Sequence, residues 1–359
     1  MTDRERVLRT FAGEPVDRIC WQPRLEHWFR YRQKTGTMPE RYEGMDLFDL
    51  YDDLGCSVRY AGRPLVFEYE KCSLRVEGDE HGRVTYYETP IGTLTEVLRY
   101  GERGTSGHRA KFPVEKLEDI PVMEYFLLDE RARFDREQFD AIEERLGDRG
   151  VCQYYFPRTP LMRLIINLVG FEQTIYLLHD HPERTEQFLQ HIEKCDDPMF
   201  DTLCESPTRI LNFGDNIDGW LTPPPLFERY LLPIYERRCE QLHAAGKVTH
   251  IHMDGALGPL LPYLAKLPQH GIEAPTPLPQ GDVELEELCE AMGEKIMLDG
   301  IPCVHFLPDF PLEELDECVE TLLELQAPRL ILGISDEISP PGDIERVRRV
   351  MEMVNASGA

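Results

Sequence analysis

The chain has 359 residues, and its 39 Lys and Arg face 66 Asp and Glu, a formal charge of −27. A surface that acidic repels phosphate backbones and anionic headgroups, so nucleic acid and membranes are set aside as partners. An apolar fraction of 42% before the 26 glycines are added excludes global disorder and fibrous architecture, and the length suits two modest domains or one large α/β barrel.

No apolar run approaches the roughly 20 residues of a membrane-spanning helix, and the opening Met1-Thr-Asp-Arg-Glu-Arg6 lacks the layout of a signal peptide. A cytoplasmic protein is expected. The ten cysteines stand singly with no C-x-x-C pair, so they read as reduced, mostly small core residues.

The chain opens with a predicted helix over 3–12 (apolar Val7, Leu8, Phe11), a turn at Gly13-Glu-Pro and a short strand near Ile19-Cys-Trp21. From residue 58 to about 112 the pattern shifts to period two. Ser73-Leu-Arg-Val76 and Arg83-Val-Thr-Tyr-Tyr87, separated by Gly78-Asp-Glu-His-Gly82, predict a hairpin in an antiparallel insertion. From 113 onward, amphipathic stretches alternate with short apolar runs: 151–156, 209–214, 247–252, 271–274, 295–300 and 329–334. Strands and helices alternating at this spacing predict βαβ units. The expected fold is α/β, a (β/α)8 barrel forming one domain over 1–359 with the insertion at about 58–112. No glycine-rich dinucleotide or P-loop turn follows any strand, which counts against those folds.

In such a barrel, chemistry sits where strands end. Polar residues gather there: Asp215, Asn216 and Asp218; His250, His252 and Asp254; Glu273; Asp299; Asp336 and Glu337. In His250-Ile-His252-Met-Asp254-Gly255, alternate residues face one side. Imidazole and carboxylate there suit a divalent metal. The plainer reading is a polar strand end whose histidines are satisfied by neighbouring carboxylates. With Glu273 and Asp336 at the ends of later strands, the candidate metal set is His252, Asp254, Glu273 and Asp336, mostly hard oxygen donors, zinc among the candidates.

Asp215 can serve as a general base or bind a substrate cation, or else order its loop. Tyr154, Tyr155 and Arg158 follow the strand at 151 and can line a pocket. Arg24, Glu26, His27, Trp28, Arg30 and Tyr31 form a polar, aromatic segment that can close over the mouth and bind substrate. His305 reads as structural, Cys303 lacks the surroundings of a nucleophile, and no G-x-S-x-G occurs.

These residues in this order resemble the uroporphyrinogen decarboxylase superfamily, including its corrinoid-dependent methyltransferase branch. The likeness runs from Arg4-Glu-Arg-Val-Leu-Arg-Thr-Phe-Ala-Gly-Glu-Pro-Val-Asp-Arg18 through Gly214-Asp215-Asn216, the 223–233 segment, Ala245 to Gly255, Gly271-Ile-Glu273 and Gly333-Ile-Ser-Asp336. The porphyrin enzymes' Met-Arg-Gln-Ala-Gly-Arg-Tyr signature is replaced by Trp21-Gln-Pro-Arg24-Leu-Glu26-His27, and the charge of −27 opposes a polycarboxylate substrate. In the methyltransferases the resemblance implies zinc on a His-x-Cys pair and a distant Cys. Here His252-x-Asp254, Glu273 and Asp336 stand in what look like matching positions, with aspartate in place of both cysteines. Carboxylates suit an oxygen-bearing substrate better than a thiol. The resemblance therefore implies a metal-assisted methyltransferase that takes a methyl group from a small, methoxylated donor. Asp215 or Asp299 would protonate the leaving group, and Arg24, Glu26, His27, Tyr154 and Asn216 would bind substrate. Without an Asp-x-His-x-x-Gly motif, the cobalamin would ride on a separate corrinoid protein. A lyase acting on a smaller acid and a metal-dependent hydrolase are the alternatives, and a homodimer is compatible with the family.

Overall fold

The computed structural model describes residues 1–101 and 106–358. Residues 102–105, inside the expected insertion, and residue 359 lie outside the described residues. The strands, in chain order, are β1 (Cys20–Trp21), β2 (Leu65–Glu68), β3 (Ser73–Asp79), β4 (Gly82–Thr89), β5 (Gly92–Tyr100), β6 (Gly107–Lys111), β7 (Arg131–Phe134), β8 (Gln153–Tyr155), β9 (Ile210–Ile217), β10 (Val248–Met253), β11 (Gly271–Glu273), β12 (Ile296–Pro302) and β13 (Leu330–Ser335). They belong to two compact units, the first made of residues 1–63, 136–156 and 208–359, the second of 64–135 and 157–207.

The first unit is an α/β fold around a curled parallel sheet of seven strands in the order β1-β13-β12-β11-β10-β9-β8. Its strands are buried along nearly their whole length, as a parallel sheet covered by helices requires. The helices Leu232–Ala244, Leu285–Met292 and Leu312–Gln326 each link two consecutive strands. Eight strands were expected and the ladder contains seven. In the eighth place, the segment at 57–58 gives one backbone bond to either side: Ser57 N–H to the Trp21 carbonyl and Val58 N–H to the Arg149 carbonyl, both 2.9 Å.

The opening helix, Asp3–Ala12, begins at Thr2, whose side chain and Glu5 form a capping box, and ends at Gly13 in the left-handed region. That geometry satisfies backbone groups at both helix ends. Its Val7 and Phe11 join Cys20, Val151, Ile210, Ile296, Leu298 and Ile331 in one buried apolar cluster. The N-terminal ends of the strands are therefore filled with hydrocarbon, and polar side chains concentrate further along.

The second unit holds two antiparallel sheets, β2 with β7 and the four strands β3-β4-β5-β6. The pairing of Asp79 with Gly82 leaves only Glu80 and His81 in the first turn, tighter than the five-residue spacer read from the sequence. This unit begins at 64, inside the expected 58–112 range, and runs beyond 112 to 135, together with 157–207 and the helices Phe171–Asp180, Pro182–Cys195 and Asp197–Glu205. Asp129 orders its start by accepting the backbone N–H groups of Glu70, Lys71 and Cys72 at 2.7–3.0 Å. No helix among the described residues is long and apolar enough to cross a membrane. All ten cysteines are free.

Candidate active site

At the strand ends of the first unit the sheet interior turns polar. On β10, His250 and His252 project to the same side, as residues two apart must. His250 Nε2 lies 3.0 Å from Gln153 Oε1 on β8, and His252 Nδ1 lies 2.8 Å from Glu273 Oε2 on β11. Glu273 is the hub. Its Oε1 accepts from Arg59 Nη1 at 2.9 Å and Tyr60 OH at 2.5 Å. Its Oε2 accepts from Tyr155 OH at 3.0 Å and Asn212 Nδ2 at 2.6 Å, besides His252.

Arg59 joins this hub to a second carboxylate. Its Nη1 also donates to Asp299 Oδ2 at 2.8 Å, its Nη2 lies 2.8 Å from Asp299 Oδ1, and its Nε donates to Gln22 Oε1 at 3.0 Å. Arg59, Glu273 and Asp299 are all 0% exposed. Three residues on or just after β9, β11 and β12 adopt positive φ without being glycine: Asn216 (54°), Ala274 (60°) and Asp299 (83°). Such conformations cost about 1–3 kcal/mol each and cluster at functional sites. Two glycines make room. A Cβ on Gly214 would stand 2.4 Å from the Tyr155 ring, and one on Gly333 would stand 2.1 Å from Asp299 Oδ1.

The two histidines, two residues apart, are driven in opposite directions. Burial beside a neutral amide pushes His250 down to about 3. For His252 burial acts against the charge, but the carboxylates of Asp254 and Glu273 prevail and push it up to about 10. Burial also works against a charged Glu273, and the hydrogen bond from His252 with the charge of Arg59 outweighs it, holding the carboxyl well below its usual range. Burial pushes Asp299 up to about 6 despite Arg59.

Nearer solvent, Arg24 donates to Asp336 and stands within 3.7 Å of Glu337 and 3.9 Å of Glu26. Its guanidinium carbon lies 5.3 Å from the centre of the Tyr60 ring, which packs against Tyr155 at 4.7 Å. His27 Nδ1 lies 4.0 Å from Glu337, whose carboxyl is pushed up to about 7 by burial. Glu26, Arg24 and His27 sit at the start of the helix Glu26–Thr35 and on the segment leading into it.

Several predicted site residues therefore meet: His252, Asp254 and Glu273 directly, Asp299 through Arg59, and Arg24 with Glu26 and Asp336. Two do not join them. Asp215 points to the other face of β9 from Asn212, where its Oδ2 accepts from Tyr235 OH at 2.7 Å, so strand alternation removes it from the mouth. Tyr154 is likewise turned away from Gln153 and Tyr155, its hydroxyl 3.4 Å from Thr208 Oγ1; the tyrosine at the site is Tyr155. Asn216 is half-buried at the end of β9. His305 packs on Phe310 at 4.8 Å, and burial pushes the Cys303 thiol up, as their structural readings require. Arg158 belongs to the second unit. Sequence reasoning missed Arg59, Tyr60, Gln22 and Asn212. The available signal was Arg59 itself, a charge inside the run Cys56-Ser-Val-Arg-Tyr60.

The side chains of the expected metal set are for the most part engaged by protein donors. A carboxylate offers about four lone-pair sites, and Glu273 already receives five hydrogen bonds. Asp336 is engaged by Arg24. What remains is His252 Nε2, buried without a hydrogen-bond partner, and Asp254 Oδ2 at 3.7 Å. Among the described residues, no three His, Cys, Asp or Glu side chains are grouped to hold an ion.

A model of the family described as Uroporphyrinogen decarboxylase (URO-D) matches residues 160–357. Among solved structures, a methyltransferase from Methanosarcina mazei is 15% identical, with 99% of both chains covered and a TM-score of 0.58, which supports the fold. A B12-independent methionine synthase from a Shewanella species is 14% identical, with 96% of this chain and 98% of that one covered and a TM-score of 0.42. No curated protein sequence matches. The family match extends over more than half of the chain and includes β9 through β13 with His252, Glu273 and Asp299: the chain belongs to the uroporphyrinogen decarboxylase family.

Proposed function

We propose that the chain is a methyltransferase that moves a methyl group from a small methoxylated donor to the corrinoid of a partner protein. The observation that carries this reading is His252. Its Nδ1 is fixed by Glu273, while its Nε2 is buried, lacks a hydrogen-bond partner and faces Asp254 at 3.7 Å. When the methyl carbon–oxygen bond breaks, the electron pair stays on oxygen, and an imidazolium between two carboxylates delivers hydrogen-bonding charge and a proton to it. The corrinoid would supply low-valent cobalt as the methyl acceptor.

The other residues support that step from a distance. Glu273 orients the ring, Arg59 holds Glu273, and Tyr60 and Tyr155 brace the same carboxylate. Asp299 is sealed against Arg59 and Asp215 faces the helix layer, so neither serves as the leaving-group acid in this reading. Arg24, Glu26 and His27 would contact the substrate at the mouth. The metal expected from the resemblance has no step here, because its donors are committed elsewhere.

The test is formation of methylcobalamin, followed by absorbance, from free cob(I)alamin and a panel of methoxylated compounds. Transfer from at least one donor, lost in His252→Gln, is the expected result. No methylcobalamin from any donor, together with carbon dioxide release from a small carboxylic acid, overturns the reading in favour of a lyase.

A further inference from the structure

We propose that this site carries its electrophilic charge on protein cations, Arg59, Arg24 and His252, and has no place for a divalent ion. The argument starts from what each carboxylate is bound to. Glu273 is saturated by five donors, among them Arg59 and His252. Asp299 is held by both terminal nitrogens of the same guanidinium. Asp336 is held by Arg24, which Glu337 and Glu26 flank within 3.9 Å.

Coordination by Glu273 would require at least one buried donor to leave, at the cost of a buried hydrogen bond. Arg59 is the hardest to dislodge. It is 0% exposed and contacts Gln22, Glu273 and Asp299 at once, and a guanidinium cannot shed its charge to make way for an ion. Asp254 and His252 Nε2 alone supply two donors, fewer than the three protein ligands of catalytic zinc sites. The positive charge that an ion would bring is already present, in fixed positions, as two guanidinium groups and one imidazole flanked by carboxylates.

This inference concerns the site and does not depend on which methyl donor is used, so a failed methyl-transfer assay leaves it standing. Its test is competition for zinc between the full chain, freed of metal, and a fluorescent zinc indicator. Two variants, His252→Gln and Asp254→Asn, run in parallel. Asp254 is a third exposed, so its variant folds even where the buried one does not. The expected result is that the wild type withdraws no more zinc than Asp254→Asn, any zinc taken up equally by both being held elsewhere, by surface histidines or cysteines. One further equivalent of zinc per chain in the wild type, lost in Asp254→Asn, overturns the proposal. So does a rise in the wild-type thermal midpoint on adding zinc that the variant does not share.

Discussion

Replacing Arg59 by Gln tests the central arrangement. The substitution removes the counter-charge of two fully buried carboxylates, but unequally. Glu273 keeps four donors, from Tyr60, Tyr155, Asn212 and His252. Asp299 keeps the Ala274 N–H at 3.2 Å. Stranding one partner of a buried ion pair costs about 3–5 kcal/mol, on the order of a 5 °C fall in thermal midpoint for a chain of this size. Asp299 can relieve part of this by taking up a proton. Its folded-state value is already raised to about 6, and losing Arg59 raises it further. A carboxyl whose folded value lies above its unfolded one binds more protons when folded, so the variant loses stability as pH rises. Arg59→Gln should thus be more damaged at pH 8 than at pH 6, and Asp299→Asn added to it should recover part of the loss at pH 8. Thermal unfolding followed by tryptophan fluorescence reads all three. A loss under about 1 kcal/mol at pH 8, well below the buried-pair range, or equal losses at both pH values without recovery, refutes the ion-pair account.

The histidine pair on β10 predicts a stability maximum. His250, lowered to about 3, costs stability as pH falls from 6.5 toward 3, while His252, raised to about 10, costs stability as pH rises from 6.5 toward 10. Urea unfolding from pH 4 to 9.5 should peak near 6.5, and His250→Gln should flatten only the acid side. Gly214→Ala places a methyl 2.4 Å from the Tyr155 ring; the expected cost is about 1–3 kcal/mol of overpacking, with ligand binding, read by calorimetry, weakened as Tyr155 leaves Glu273. Tyr60→Phe removes one of five donors to Glu273 and should cost about 1 kcal/mol in chemical denaturation, with methyl-transfer rate falling less than in His252→Gln.

The strand positions were legible because a buried parallel strand leaves a short apolar run that no helix period explains; the runs at 209, 247, 295 and 329 all became β9, β10, β12 and β13. His252 and Glu273 were legible because a charge at the end of such a run has no packing reason to be there. Asp215 fails by the same rule applied one residue out of phase. It ends a strand too, but alternation gives Asn212 the inner face and hands Asp215 to Tyr235. Tyr154 and Tyr155 show the same ambiguity, since an aromatic pair fits either phase. Arg59 escaped because it lies on a segment with no ladder and meets Asp299, 240 residues away. A partnership at that distance leaves no local period. Asp336 was placed correctly at a strand end, but its partner Arg24 lies 312 residues earlier, so the sequence could not show that the carboxylate was already taken.

The site places three cations inside a strongly acidic chain, each beside carboxylates, and that arrangement bears on how the site works. At −27 the molecule's field disfavours an accumulating negative charge anywhere on its surface, yet the proposed reaction develops one on a leaving oxygen. Distant charges are screened within about 10 Å at ordinary ionic strength, whereas the contacts of Arg59 and His252 lie within 3.0 Å and away from solvent. At such separations in a dry interior the local pairs dominate. The leaving oxygen would therefore meet His252 Nε2, which lacks a hydrogen-bond partner, before it meets the field of the surface. The site answers an acidic exterior by fixing each cation between carboxylates that hold it charged and in place.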